Sequence, residues 1–306
     1  MPDRTLIHID AALTTLSLAY ENEGFIADTV CPRVKVKKQS DKYYIYGAEN
    51  LSEVDDTRAR GTESKGLEYE VSTSSYLCEP HALHGMVYDE DYKNADVPLR
   101  PEADTLSIVQ ESVKLNREIR VASLLQTAAN YAAGNSAAAG AGWNAAATDI
   151  EADVITAKKA IKDKSQRQAN TIILPWEVAL KIHANTQIRD AKKQIVNKMT
   201  LLESGLPGQL WGLNVVIAGA AKNTAKKGQT ATFADIWTDS VVIMHLEQNP
   251  GLRSRSFCVT FDWGGPVVRR FDKPERKGVK LEYEEQGLDE KVISSGSGYL
   301  LTNVIV

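Results

Sequence analysis

The chain has 306 residues, 43% of them apolar and 25% charged, a globular composition with material for one large core or two modest ones. Its formal net charge of -4 argues against a protein whose main task is gripping nucleic acid, because neutralising phosphates needs clustered excess Lys and Arg. No basic segment leads into an apolar run at the N-terminus and no stretch of about 18 apolar residues occurs, so neither a standard export signal nor a membrane span is expected.

Cys31, Cys78 and Cys258 lie far apart and cannot all pair. A disulfide framework is therefore not expected; three buried thiols in a reducing compartment is the plain reading. Residues 1 to about 30 mix short apolar and polar pieces without a strong period, and read as an arm with a short helix docked on another surface. Then Arg33, Lys35, Lys37, Lys38 and Lys42 place five cations in ten positions, while Val34, Val36, Tyr44 and Tyr46 alternate as in a half-buried strand. From Glu49 to Glu70 there are seven acidic and three basic residues and few apolar anchors. "LEYEVSTSSYLCEP" alternates again, so residues 34 to about 80 read as a two-stranded excursion with a charged tip. Such a hairpin is marginal alone in water, and another surface is expected to complete it.

Pro101, Glu102 and Asp104 suit the first turn of a helix, and no Gly or Pro follows from Glu102 to Ala133. Leu106, Val109, Val113, Val121 and Leu125 keep an apolar stripe at helical spacing. A helix over 102–133 would be roughly 45 Å long, far beyond the usual mean of about 11 or 12 residues. "AAGNSAAAGAGWNAAA" reads as a loop, and "TDIEADVITAKKAIKDKSQ" as a second amphipathic helix capped by Thr148 or Asp149. "TIILPWEVALKIHAN" runs a buried strand into a helix. Anion sites at such junctions use glycines and an open helix N-terminus, whereas Pro175 and Trp176 are bulky and closed. A strand at 213–218, the apolar "DSVVIMHLEQNP" and an alternating tail from Phe257 to Val306 complete an α+β chain without internal repeats.

The nearest thing to a metal motif is Cys78, His81 and His84 in "CEPHALH", but zinc wants four ligands and no second cluster supplies the rest. Asp89, Glu90 and Asp91 lack the ligand spacing and turn glycine of a calcium loop and read as a solvated turn. Ser297 lacks the strand-turn-helix setting of a nucleophile elbow, and no Walker-type lysine follows a glycine loop. No catalytic, cofactor-binding or metal residue is assigned. A soluble hydrolase or metal enzyme using Cys78, His81 and His84 is the competing reading from another class. An arm, an unsupported excursion and an overlong helix point instead to a building block completed by copies of itself.

This order of parts resembles the major capsid proteins of tailed bacteriophages, with the Hong Kong 97-like fold that is also seen in encapsulin shells. "ANTIILPWEVALKIHANTQIRD" is similar to the strand, proline and helix that open the family's axial domain, and "GYLLTNVIV" to its last strand. The resemblance implies an N-terminal arm at 1–33 and an extended E-loop at 34–88. A peripheral domain would cover 89–150 with its spine helix at 102–133, an axial domain 151–244, and closing peripheral strands 245–306. It also implies a non-enzymatic subunit without cofactor or membrane, forming hexamers and pentamers of an icosahedral shell around double-stranded DNA. Such a virion protein is assembled in the host bacterial cytoplasm with scaffolding and portal proteins and, in some members, a decoration protein. The short arm implies a separate scaffolding protein or earlier removal of such a segment. The E-loop tip would lie on an adjacent copy, making Glu53, Asp55, Asp56, Arg58, Arg60, Glu63 and Lys65 inter-subunit contacts. An encapsulin-type nanocompartment shell is the alternative on the same fold.

Overall fold

The computed structural model describes residues 8–9, 24–45, 53, 55–58, 60–64, 66, 71–95, 100–194, 205–226, 228–247, 250–251, 255–273 and 277–305. In chain order come strand β1 (His8–Ile9), helix α1 (Ala27–Val30), β2 (Arg33–Lys35), β3 (Ser40–Ile45), β4 (Ser72–Leu77) and β5 (Glu79–Tyr88). Helices α2 (Asp89–Asn94) and α3 (Pro101–Gln126) follow, then β6 (Ser136–Ala138) and α4 (Ile150–Ser165). Next are β7 (Thr171–Pro175), α5 (Trp176–Lys181), α6 (Thr186–Gln194), β8 (Gln209–Leu210), β9 (Leu213–Ala218), β10 (Ala221–Asn223), β11 (Phe233–Asp235) and β12 (Val241–Met244). The chain ends with β13 (Cys258–Asp262), β14 (Pro266–Lys273), β15 (Gly278–Val292) and β16 (Gly298–Thr302).

One six-stranded sheet runs β6-β16-β12-β7-β9-β8. Its central strands β7 and β12 are buried along their whole length because both faces are covered. Ile172, Leu174, Val241, Ile243, Tyr299 and Leu301 pack on one face against Val154, Ala157 and Ile161 of α4 and Val178 and Ala179 of α5. Ile173, Val242, Met244 and Leu300 point the other way, onto Val121, Ala122 and Leu125 of α3. The side-chain period of two thus splits one apolar run between two cores.

The second sheet is organised on β15, long enough to take three partners. β14 and β13 lie in succession along one side, β5 lies along the other, and β1 and β2 extend it. Leu106, Val109 and Val113 of α3 rest on Val268 and Tyr283 of this sheet, so α3 spans both sheets. Gly278 lets β15 start close to β5; a Cβ there would stand 2.6 Å from the Val87 carbonyl oxygen.

Several expectations are corrected. The long helix stops at Gln126, short of Ala133, and at its 26 residues is roughly 39 Å long. Thr127 turns extended, Asn130 Nδ2 and Tyr131 Oη donate to the carbonyls of Leu124 and Leu125, and Tyr131 stacks on Phe257 with centroids 4.9 Å apart. That side-chain capping, rather than Gly134, ends the helix. β16 does not close the second sheet as expected for 245–306, but pairs β12 antiparallel and β6 parallel. Fully buried "GYLL" gains more in the middle of a two-sided sheet than on a half-exposed one. Residues 136–138, expected in a loop of the peripheral part, join that same sheet through β16. The strand expected to run through Val34, Val36, Tyr44 and Tyr46 breaks at residues 37–39. This resets the alternation, burying Tyr43 and leaving Tyr44 outward; Tyr46 lies outside the described residues. Asp89, Glu90 and Asp91 form the first turn of α2, where acidic side chains suit the helix dipole, rather than a plain turn.

The cysteine reading is corrected too. Cys31 and Cys258, separated by 227 residues, form a disulfide with Cα atoms 5.1 Å apart, and Cys78 alone is free and buried. Distance along the chain hid a spatial neighbour. Most of the expected arm lies outside the described residues, but β1 pairs with β14 and α1 packs in the core under α3. No described helix is long and apolar enough to cross a membrane.

Candidate assembly surface

β3 and β4 form an antiparallel hairpin, with Ser40 opposite Leu77 and Ile45 opposite Ser72. One face is rooted: Tyr76 stacks on Phe261 of β13 at 4.6 Å between centroids, Tyr43 tilts onto the same ring at 5.3 Å, and Val34, Val36 and Val259 close the cluster. The backbone N–H of Leu77 donates to Asp289 Oδ2 at 2.8 Å. The other face is open, with Tyr44 59% and Leu77 54% exposed. That face carries Tyr44 and Leu77 among Ser40, Lys42, Thr73 and Ser75, a mixed polar and apolar surface of the kind that a subunit contact buries.

Beneath this root lies an ionic clamp joining the arm, α3 and the second sheet. Arg33 of β2 makes a bidentate pair with Glu285 of β15, at 2.9 and 3.2 Å, and Glu285 also accepts from Tyr283 Oη at 2.8 Å. Glu285 is 2% exposed; a buried pair like this is costly to break, since removing one partner strands the other, by about 3–5 kcal/mol. Arg117 of α3 is buried beside Asp28 of α1 and Glu290 of β15, and its Nη2 donates to Thr260 Oγ1 at 3.2 Å. Neighbouring Glu118 accepts the N–H groups of Ile26 and Ala27 at 3.1 and 2.8 Å and Trp237 Nε1 at 2.8 Å. It thereby caps α1 from α3, satisfying donors that a four-residue helix leaves open.

The charges in the clamp shift accordingly. Loss of water around Asp28 would raise its pKa, but the guanidiniums of Arg117 and Arg33 outweigh that and hold it down to about 2. Burial pushes Glu118 up, partly offset by the hydrogen bonds from Trp237, Ala27 and Ile26. Burial would lower Arg33, yet Glu285 and Asp28 raise it well above its ordinary range.

Of the expected tip contacts, Glu53, Asp55, Asp56, Arg58, Arg60 and Glu63 are all exposed, and Lys65 lies outside the described residues. The Thr57 N–H donates to Asp55 Oδ1 at 3.0 Å, a local turn. Cys78, His81 and His84 do not converge. Residues three apart on an extended strand face opposite sides, and Cys78 to His84 spans roughly 20 Å of strand. Cys78 is buried against Phe261, its Sγ 3.6 Å from that carbonyl oxygen, while His81 and His84 lie opposite Glu285 and Glu282. Among the described residues no group of three or more His, Cys, Asp or Glu side chains is placed to hold a metal. Pro175 is buried at the end of β7 and Trp176 opens α5 partly exposed, so that junction seats a helix on the sheet.

The clamp residues were missed by sequence reasoning, although a signal existed. Arg117 falls between Val113 and Val121 at four-residue spacing, and Glu118 precedes Ala122 and Leu125 on the same stripe, so both charges stand where the helix faces inward.

No family model matches the chain. It is 24% identical over 305 residues to a major capsid protein of Pseudomonas phage JBD67, covering 97% of each chain. It is 26% identical over 306 residues to a major capsid protein of Burkholderia phage BcepMu, covering 97% of this chain and 96% of the relative. Among solved structures, a phage-related protein of Bordetella bronchiseptica RB50 superposes with a TM-score of 0.74 at 22% identity over 97% of this chain and 98% of that one. The capsid of cyanophage P-SCSP1u gives 0.64 at 12% over 92% and 89%, and the SrpI encapsulin of Synechococcus elongatus PCC 7942 gives 0.55 at 11% over 97% and 95%. Over nearly its whole length the chain is similar to two phage major capsid proteins, and its fold is the α+β fold of solved phage capsid proteins.

Proposed function

We propose that the chain is the major capsid protein of a tailed phage, assembling into hexamers and pentamers of an icosahedral shell around double-stranded DNA. The observation that carries this reading is the coextensive likeness to two phage major capsid proteins, 97% of this chain in each case. The rooted hairpin supports it physically, since its open face leaves Tyr44 and Leu77 for a neighbour to cover. In this reading β3, β4 and the segment between them are the E-loop, the sheet centred on β15 with the first half of α3 is the peripheral domain, and the sheet centred on β12 with α4 and α5 is the axial domain.

Glu53, Asp55, Asp56, Arg58, Arg60, Glu63 and Lys65 contact an adjacent subunit. Exposed pairs of this kind contribute roughly 0 to 1 kcal/mol each, so they set register more than strength. Scaffolding and portal proteins are the expected assembly partners in the host cytoplasm, with DNA touched locally and without sequence preference. The encapsulin reading shares the fold, whereas both sequence relatives named above are phage major capsid proteins.

Deleting residues 52–66 tests the proposal. The trimmed subunit is expected to keep its circular dichroism spectrum and unfolding midpoint yet form no closed shells by negative-stain microscopy. Shells of normal size from that variant would refute the role given to the hairpin. Co-purified DNA rather than an enzyme separates the phage reading from the compartment reading.

A further inference from the structure

We infer that the Cys31–Cys258 disulfide is a post-assembly staple, open while the shell is built and closed after the particle leaves the reducing cell, which fixes the root of the arm and hairpin to the subunit body. This rests on the capsid reading for its timing; the bond's position stands on the structure alone.

β2 is a three-residue edge strand, pairing in parallel with β13 so that Arg33 faces Thr260 and Lys35 faces Asp262. Cys31 and Cys258 continue that same register two residues upstream, with Cα atoms 5.1 Å apart, inside the range for a bridge. Both are fully buried among Val121, Leu125 and Phe257. Cys31 is held by more than the bond: its carbonyl accepts from Thr260 Oγ1 at 2.9 Å, and the N–H of Thr260 donates to the Pro32 carbonyl at 3.0 Å.

β2 also leads from α1 into the hairpin beginning at Ser40. A pull on the hairpin from a neighbouring subunit would load a strand with few backbone hydrogen bonds. The covalent bond passes that load to β13, a buried strand paired with β15. A bridge closing a loop of 227 residues also removes much of the freedom of the unfolded chain.

The bacterial cytoplasm keeps thiols reduced, so assembly would proceed with both thiols free and the clamp of Arg33, Glu285 and Arg117 holding the root. Outside the cell a low-molecular-weight disulfide completes the reaction. One cysteine thiolate attacks it and releases one small thiol; the second cysteine then displaces the other. Two protein thiols become one disulfide, and the reagent leaves as two thiols carrying both hydrogens. Burial makes this slow, because the edge strand must open first.

The test is alkylation under denaturing conditions followed by mass measurement. Particles quenched with acid inside the cell are expected to carry three alkylated cysteines, and released particles only one, at Cys78. Three alkylated cysteines in released particles, or the bond already present in quenched cells, overturns the staple. Stability supplies a second arm: treating released particles with dithiothreitol should speed heat inactivation by about tenfold. The Cys31→Ala/Cys258→Ala variant should inactivate at the reduced rate and ignore dithiothreitol. If that variant fails to assemble, wild-type particles in which the same alkylation count shows the bond reduced decide the matter, and an unchanged half-life in those particles counts against the proposal. Failure to form any particle would refute the capsid reading instead, while the thiol count on the soluble chain still reports the bond.

Discussion

At the scale of single residues, the clamp under the hairpin sets how the subunit answers acid. Asp28, held down to about 2 by Arg117 and Arg33, contributes in full above its ordinary 3.8 and loses that contribution as pH falls through about 2. Glu118 runs the other way. Burial raises its pKa, so the fold favours its protonated form, and the cost of keeping it charged is felt as pH rises past its ordinary 4.5. Asp28 keeps 60% of its side-chain surface exposed, so solvent screening limits the pair to about 1 kcal/mol. Asp28→Asn is therefore expected to lower stability at pH 7 by that modest amount, with the gap to wild type shrinking as pH approaches 2. Urea unfolding at a series of pH values measures it, and a gap that stays constant would show that Asp28 acts through shape rather than charge. The presence of these charges on an apolar stripe was legible in the sequence. Their partners were not, since Arg33 meets Glu285 across 252 residues.

At the scale of elements, the hairpin was legible because its strands are close in sequence and alternate. Its rooting was not. The break at residues 37–39 changes which tyrosine faces inward, and nothing in "VKVKKQSDKYYIYG" marks that slip before the backbone is seen. Phe261 is the residue on which the root turns, lying under both Tyr43 and Tyr76 at 1% exposure. Phe261→Ala opens a cavity between two rings and is expected to cost about 3–5 kcal/mol of stability. The loss should be local as well as global. Amide exchange in β3 and β4 is expected to speed up more than in β7 or β12, which pack in other cores. Equal acceleration in all four strands would mean that the hairpin folds as one unit with the body, not as an appended element. The end of α3 shows a similar limit, for Tyr131 caps the helix from beyond its end, which helical periodicity cannot reveal.

At the scale of the molecule, the order of parts was readable but the division into sheets was not, because the chain crosses from one sheet to the other at β6, back at β13 and over again at β16. Pairing of β12 with β16 joins segments more than fifty residues apart, and local pattern carries no record of it. What the whole subunit presents outward is a hairpin face with Tyr44 and Leu77 exposed and a tip of mixed charge. The two make different demands on solvent: burial of Tyr44 and Leu77 is insensitive to salt, whereas tip pairs are screened over about 8 Å at physiological ionic strength. Reversing Arg58 and Arg60 together to Glu should leave the monomer's unfolding free energy within about 0.5 kcal/mol, since both side chains are exposed. Shell closure should respond more strongly, because each small change recurs in every copy. Light scattering against protein concentration is expected to show a higher assembly threshold for the variant at low salt. In about 1 M salt, where the screening length falls to roughly 3 Å, the two thresholds should converge. Coincident thresholds at low salt would remove the tip charges from the contact and leave Tyr44 and Leu77 to hold neighbouring subunits together.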